Sequence, residues 1–226
     1  MRLIGKDYGD ERYNRDLLAL IPPGRRRVVD IGSAHGAFAK ALRVRQPDVH
    51  VTGVDIDQEY ARLSARYCHR VVVGDVEALA PSVFDALFPS DCWIFGDCLE
   101  HLLDPWRLVA AVRGRIDDDG CIVVCLPNAQ HWSVQVRLAS GHFFYEDEGL
   151  MDRTHLRWFT RRTMVDMFGR AGWKVDHLTW RGFSTEAPHG VIEGIQQVAR
   201  AVGADPQEAA VEARVFQYLF RLVPGG

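Results

Sequence analysis

Two stretches far apart in the chain carry side chains that can bind a metal or move a proton. Asp97-Cys98-Leu99-Glu100-His101 brings two carboxylates and an imidazole within five residues. If the segment turns as a helix, the i, i+3 and i+4 spacing puts Asp97, Glu100 and His101 on one face. Downstream, Asp152-Arg153-Thr154-His155 offers a second imidazole. Two carboxylate oxygens and two imidazoles suit a divalent ion such as Mg²⁺, Mn²⁺, Fe²⁺ or Zn²⁺. The same side chains allow two plainer arrangements: Glu100 and His101 packing and capping a helix with no ion, or His101 or His155 serving as a metal-free general base.

A third constellation, Asp30-Ile31-Gly32-Ser33-Ala34-His35-Gly36, runs from an apolar stretch into a helical pattern. It reads as a tight glycine turn at the carboxyl end of a strand, where open α/β sheets bind ligands. A dinucleotide fingerprint needs glycines where Ala34 and Ala37 stand, and here an acid precedes the first glycine by two residues. The turn therefore suits a cationic ligand better than a pyrophosphate, which disfavours a nicotinamide-dependent dehydrogenase. Asp55 closes a second apolar run, where a carboxylate can accept both ribose hydroxyls. Asp75 closes a third, where it can accept from an adenine amine.

Strands and helices must hold these groups in place. Strand-length apolar runs at 27–32, 49–55, 70–74, 92–97 and 121–126 alternate with helical patterns, among them Phe38, Ala41 and Leu42, then Leu108, Val109 and Val112 after Pro105. Right-handed crossovers turn such an order into a parallel sheet with helices on both faces. Residues 128–159 lose clean periodicity while gathering His131, Trp132, His142, Phe143, Phe144, Tyr145, His155, Trp158 and Phe159, so they read as an inserted cap. Thr160 then caps a helix closed by Gly172. Trp173 to Trp180 reads as a strand, 190–202 as a helix and 214–222 as a last strand. Tyr13, in a helix ahead of the first strand, stands either as a lid or as a packing residue.

Composition narrows the function classes. The chain has 226 residues, is 47% apolar and 25% charged, and carries a formal charge of −3. Its length suits one α/β domain with an elaboration. The apolar runs fall well short of the roughly 20 residues a membrane span needs, and residues 1–7 lack the apolar core of a secretory signal. The expectation is a soluble, cytoplasmic protein. Five cysteines with no CxxC pair read as buried thiols. A slightly acidic balance disfavours nucleic acid as the partner and leaves a small-molecule substrate, with a homodimer compatible. Arg153, Arg157, Arg161 and Arg162 form a local basic cluster read mainly as solvated, Arg157 excepted for its place near His155.

The glycine turn with Val28-Val29 before it, Val54-Asp55, Gly74-Asp75 and the run ending at Asp97 resemble the class I S-adenosylmethionine (SAM)-dependent methyltransferases over roughly residues 27–181. The resemblance implies a Rossmann-like, doubly wound, mostly parallel seven-stranded sheet with a cap after the fifth strand. The whole chain, 1–226, then forms one methyltransferase domain, its core at about 24–127 and 160–226 and its cap at about 128–159. It also implies SAM as cofactor. Asp30 with Gly32 and Gly36 would hold the methionine part, Asp55 the ribose and Asp75 the adenine, with Ser33, Ile56, Val76 and Asp97 as further cofactor-binding residues. The departure is Ala34, where the family commonly has a glycine.

The acid-x-x-Glu-His-Leu pattern, the following Pro127-Asn128 and the later histidine before Thr160-Arg161 resemble two metal-using groups. These are the small-RNA 3′-end 2′-O-methyltransferases and the ubiquinone-pathway O-methyltransferases. That resemblance implies Asp97, Glu100, His101 and His155 as metal ligands, with Glu100, His101 and His155 catalytic. The Pro127–Thr160 pattern also resembles methyltransferases found with glycan and natural-product enzymes. The resulting expectation is O-methylation of a hydroxyl on a sugar, nucleotide-sugar or natural-product intermediate, with His131, Tyr145 and Arg157 touching the substrate. Competing readings are a metal-free N-methyltransferase, an RNA 3′-end enzyme and a non-catalytic cofactor-binding module.

Overall fold

Alternation along the strands decides how the sheet is covered. The computed structural model describes residues 13–182 and 186–225, so the segment read for a secretory signal lies outside the described residues. The strands are β1 (Arg27–Ile31), β2 (His50–Asp55), β3 (Arg70–Val73), β4 (Cys92–Gly96), β5 (Cys121–Pro127), β6 (Trp173–Arg181) and β7 (Gln217–Pro224). On one face Val28, Val51, Ile94, Val123 and Leu219 pack together. On the other, Val29, Val54, Trp93, Phe95, Val124 and Phe220 do so. Period-two alternation with both sides apolar is what a sheet covered by helices requires.

The helices supply those covers. Leu17, Leu18 and Leu20 of α1 (Arg15–Leu20) and Ala39 and Leu42 of α2 (Ala37–Arg45) close the first face. After α3 (Gln58–Ser64), Phe84 of α4 (Pro81–Asp85) and Leu108, Val109 and Val112 of α5 (Pro105–Arg113) close the second. There, beyond α6 (Trp132–Ala139), they are joined by Met164, Met167 and Phe168 of α7 (Arg161–Arg170). Each such side chain removed from water contributes roughly 1.5–3 kcal/mol before entropy is counted. Tyr13 lies just ahead of α1 and its N-cap Asn14, not within a helix, and packs edge-on against Phe38 at 6.4 Å.

The strand order is β3-β2-β1-β4-β5-β7-β6, with β1 to β5 parallel and β7 antiparallel to both β5 and β6. The order reverses between β1 and β4, which opens a crevice at their carboxyl ends. Asp30, Asp55, Asp75 and Asp97 all fall at strand ends on this side.

Two helices escape the periodicity reading: α6, inside the segment read as an irregular cap, and α9 (Pro206–Glu212), which follows α8 (Val191–Ala201). The start of α9 is nonetheless written in Asp205, whose carboxylate caps Gln207 N–H, and in Pro206 at the first helical position. Asn128, fully buried, donates to the Glu212 and Val215 carbonyls at 2.9 Å and ties the end of β5 to the exit of α9. The Glu212 carboxylate takes Arg161 Nε and Tyr218 Oη, each at 2.5 Å, inside a nearly closed environment.

Removing Glu212 leaves the buried Tyr218 hydroxyl without its acceptor and takes one of two carboxylate partners from half-buried Arg161, so Glu212→Ala is expected to cost about 1–3 kcal/mol in urea unfolding. Glu208→Ala, which removes only the exposed partner of Arg161, should cost under about 1 kcal/mol. Equal losses would refute the burial argument.

Candidate active site

The turn after β1 is built on β2 and not on a ligand's phosphates. Gly32 and Ser33 N–H both donate to the Val54 carbonyl, Ala34 N–H donates to Asp55 Oδ2 at 2.8 Å, and Gly36 N–H donates to the Ser33 carbonyl. Four amides that a pyrophosphate cradle would need are thus already used. Gly36 has φ +80°, and a Cβ there would come within 2.9 Å of the Ser64 backbone, so only glycine fits. A Cβ on Gly32 would meet nothing nearer than Cys98 Cβ at 3.9 Å, which leaves room over the turn. Ala34 holds φ +45°, a left-handed conformation in the place where the resembling family has glycine.

Buried acids line this side. Asp30 is 4% exposed, and its Oδ2 has no hydrogen-bond partner among the described residues. Loss of hydration, reinforced by the nearby Asp55 charge, pushes its pKa up to about 7. Asp55 accepts from Ala34 and Asp57 N–H, yet burial still raises its pKa above the usual carboxylate range. Asp75 accepts from Glu77 N–H in its own turn, and Ile56 stands exposed beside Asp55. An orphaned buried carboxylate, an acid at each strand end and open space over Gly32 fit a cationic nucleoside such as SAM. Two expected cofactor contacts point elsewhere. The Ser33 side chain is buried between β2 and α3, 3.4 Å from Ser64 Oγ, and Val76 packs into the core with Val54 and Phe84.

Beyond β4 the chain does not make the helical turn that would align Asp97, Glu100 and His101. Asp97 adopts φ +53° and a 3-10 turn follows over Leu99–His101. Asp97 consequently faces β7: its Oδ1 accepts from Gln217 Nε2 at 2.5 Å and from the Cys125 thiol. Its side chain reaches solvent, but surrounding protein strips its hydration and raises its pKa, with the Cys125 thiol and the Arg181 charge opposing. Gln217 was not singled out from the sequence.

The cluster that does form contains Glu100, His101 and His155, whose ligand atoms lie within 4.8 Å of one another; Asp97 is not in it. Glu100 is 1% exposed, and His155 Nε2 stands 4.0 Å from its Oε1. The two imidazole centroids are 4.9 Å apart. Assembly comes from the backbone: the N–H groups of Leu156 and Arg157 both donate to the Glu100 carbonyl, at 2.8 and 3.0 Å. Each histidine is also held at Nδ1, His155 by the Leu150 carbonyl at 3.2 Å and His101 by the Thr154 carbonyl and hydroxyl at 3.1 Å. Donors sharing one ion through bonds of about 2.0–2.2 Å lie at most about 4.4 Å apart. The cluster is slightly wider than that, a gap small side-chain rotations close, and its donor types, one carboxylate and two imidazoles, suit a divalent ion.

A family model described as a methyltransferase domain matches residues 7–178, which includes the turn, the strand-end acids and the cluster. The chain belongs to the methyltransferase-domain family. Its seven-stranded fold is the one its methyltransferase structural neighbours share. Among curated proteins, the trans-aconitate 2-methyltransferase of Rhodopseudomonas palustris (strain BisB18) is 33% identical over 127 residues, 54% of this chain and 47% of that one. The match thus spans about half the length of that relative.

Solved structures share the fold at low identity. The magnesium protoporphyrin IX methyltransferase ChlM of Synechocystis PCC 6803, with bound S-adenosylhomocysteine (SAH), superposes at TM-score 0.60 with 12% identity, covering 96% of this chain and 91% of that one. A putative methyltransferase in complex with the Haloferax volcanii Trm112 activator superposes at 0.59 with 17% identity, covering 94% and 88%. Among the described residues of the methyltransferase no helix is long and apolar enough to cross a membrane.

The expected substrate contacts separate in this methyltransferase. His131 is 4% exposed and caps α6, with Nδ1 accepting from Ser133 N–H; burial lowers its pKa to about 4. It is a buried cap and not a surface contact. Arg157 donates through Nε to the Leu103 carbonyl at 3.0 Å and lies 5.9 Å over the Trp106 ring, which fixes it within the fold. Tyr145 remains exposed on the cap, beside Phe143, whose ring stands 5.4 Å from Trp158; Trp158 in turn lies 6.2 Å from His155.

Two expectations follow for the ligand-free methyltransferase. Because Asp30 binds its proton more tightly folded than unfolded, its contribution to stability is greatest below about pH 4, falls as pH rises toward about 7 and is flat beyond. The shift corresponds to a few kcal/mol. Asp30→Asn is therefore expected to match the parent near pH 4 and exceed it at pH 8 in denaturant titrations; parallel curves would reject the assignment. Ala34→Gly should relieve left-handed strain of about 1–2 kcal/mol while adding about 0.4–1 kcal/mol of unfolded-state entropy. The net effect is a melting temperature unchanged or higher by up to roughly 6 °C, and a fall would contradict it.

Proposed function

We propose that this methyltransferase moves the methyl group of SAM to a hydroxyl of a small polar acceptor, a sugar, nucleotide-sugar or natural-product intermediate, with a divalent metal at Glu100, His101 and His155. The observation that carries the reading is the convergence of one buried carboxylate and two imidazoles on the strand-end side of the sheet. Two histidines and one carboxylate form a three-donor set that leaves coordination positions open.

The chemistry divides between two groups of residues. SAM supplies a methyl on a sulfonium, a good leaving group, so the remaining work is to aim the acceptor oxygen in line and remove its proton. Asp30 and Asp55 supply negative charge and hydrogen-bond acceptors for the cationic, ribose-bearing donor, and Asp75 stands at the strand end that the resemblance gives to the adenine. A divalent ion, when bound, would supply positive charge that eases loss of the acceptor hydroxyl's proton. Glu100, His101 and His155 would hold that ion.

Charge pairing supports a small acceptor over RNA. Arg153 pairs with Asp147 and Arg161 with Glu208 and Glu212, so two of the four arginines of the basic cluster seen in the sequence are already neutralised.

The test is Mn²⁺ binding to chelator-treated protein by electron paramagnetic resonance, run beside methyl transfer from labelled SAM to panels of alcohols, amines and carboxylic acids. The expected result is binding lost in Glu100→Ala and His155→Ala, with transfer to alcohols reduced about 100-fold by chelation. Transfer that survives chelation and both substitutions would overturn the metal-assisted reading and favour amine acceptors.

A further inference from the structure

His101 donates or accepts at Nδ1 toward two atoms of one residue, and proton counting decides which. The Thr154 carbonyl, 3.1 Å away, can only accept. The Thr154 hydroxyl, also at 3.1 Å, has a single hydrogen, and that hydrogen lies on Asp152 Oδ1 at 2.6 Å, so toward the ring this oxygen accepts as well. Two acceptors on one ring nitrogen require that nitrogen to carry the proton.

The support beneath Thr154 is itself rigid. Asp152 is 4% exposed, and the same Oδ1 also accepts Thr154 N–H at 2.9 Å, closing a turn that fixes both backbone and side chain of Thr154. The Asp152 carbonyl accepts His155 N–H at 3.0 Å, so one aspartate braces both histidines of the cluster. The neutral imidazole has one lone pair to offer, and with Nδ1 protonated it sits on Nε2.

We propose that Asp152 and Thr154 are positioning residues that hold His101 as its Nδ1–H tautomer and so dedicate its Nε2 lone pair to the Glu100–His155 cluster. The role rests on the reading of that cluster as the acceptor-activating site. The tautomer is measurable with no metal present, so the two can fail separately. A ligating histidine whose other nitrogen is fixed by a hydrogen bond is both oriented and made more basic, and loss of such a partner typically weakens metal binding by about 10–100-fold.

The experiment is ¹⁵N NMR of the His101 ring in metal-free protein at about pH 8, where a free imidazole is neutral, combined with Mn²⁺ titration of the same samples. The parent and Thr154→Ser should show Nδ1 protonated, with Mn²⁺ dissociation constants within about threefold of each other. Asp152→Ala, which frees the Thr154 hydroxyl to donate its hydrogen to the ring, should show mixed tautomers and a constant raised about 10–100-fold, with melting curves verifying that each variant is folded. Nε2 protonated in the parent, or a folded Asp152→Ala that keeps both the tautomer and the affinity, would overturn the proposal. A fixed Nδ1–H tautomer in a parent that binds no Mn²⁺ would support the positioning role and overturn the metal reading.

Discussion

The Glu100 carbonyl is the point on which the candidate site turns. It accepts two backbone N–H groups from a segment more than fifty residues downstream, and those two bonds set His155 beside Glu100 and His101. A side-chain contact between mobile surfaces would not hold three ligand groups in register, because each ordered side chain loses rotamer freedom. Backbone bonds place Cα positions first and leave the side chains only a short reach. The 3-10 turn at Leu99–His101 is part of the same arrangement, since it turns Asp97 away from the cluster while presenting Glu100 and His101 to it.

The large features of the fold are legible in the residues because they rest on repeating physics. Period-two apolar runs give the strands, the Asp30-to-Gly36 turn gives the first crossover, and Thr160 and Gly172 mark the limits of α7. Helix α6 was hidden because its buried side is thin: Val134 is its one fully buried residue, and the rest lies against partly exposed neighbours. The sites of Asp30, Asp55, Glu100, His101 and His155 follow from strand ends and short spacings.

The outcome for Asp97, Ser33, Val76 and His131 depended on backbone angles and on burial by distant elements. Asp97 matches a ligand in spacing, but its left-handed φ sends the carboxylate to Gln217 of β7, 120 residues away. No local pattern encodes that choice. Thr154 is the opposite case: Asp152-x-Thr154 is a turn-forming sequence in its own right, and its importance becomes visible only when His101 is seen to lean on it.

Electrostatics links the crevice to its occupant. Asp30, Asp55 and Asp97 stand at neighbouring strand ends, each with a pKa raised by loss of water, so the ligand-free crevice resists carrying its full negative charge. On the proposed reading a cationic donor reverses that balance, because a positive charge beside Asp30 favours the carboxylate and releases its proton. The contribution of these acids to stability is then larger toward the acid side of neutrality, while the charge state that receives the donor is filled toward the alkaline side. A fold selected only for stability would pair or replace Asp30. Keeping a buried, unpartnered carboxylate under a glycine turn makes physical sense where a cation completes it.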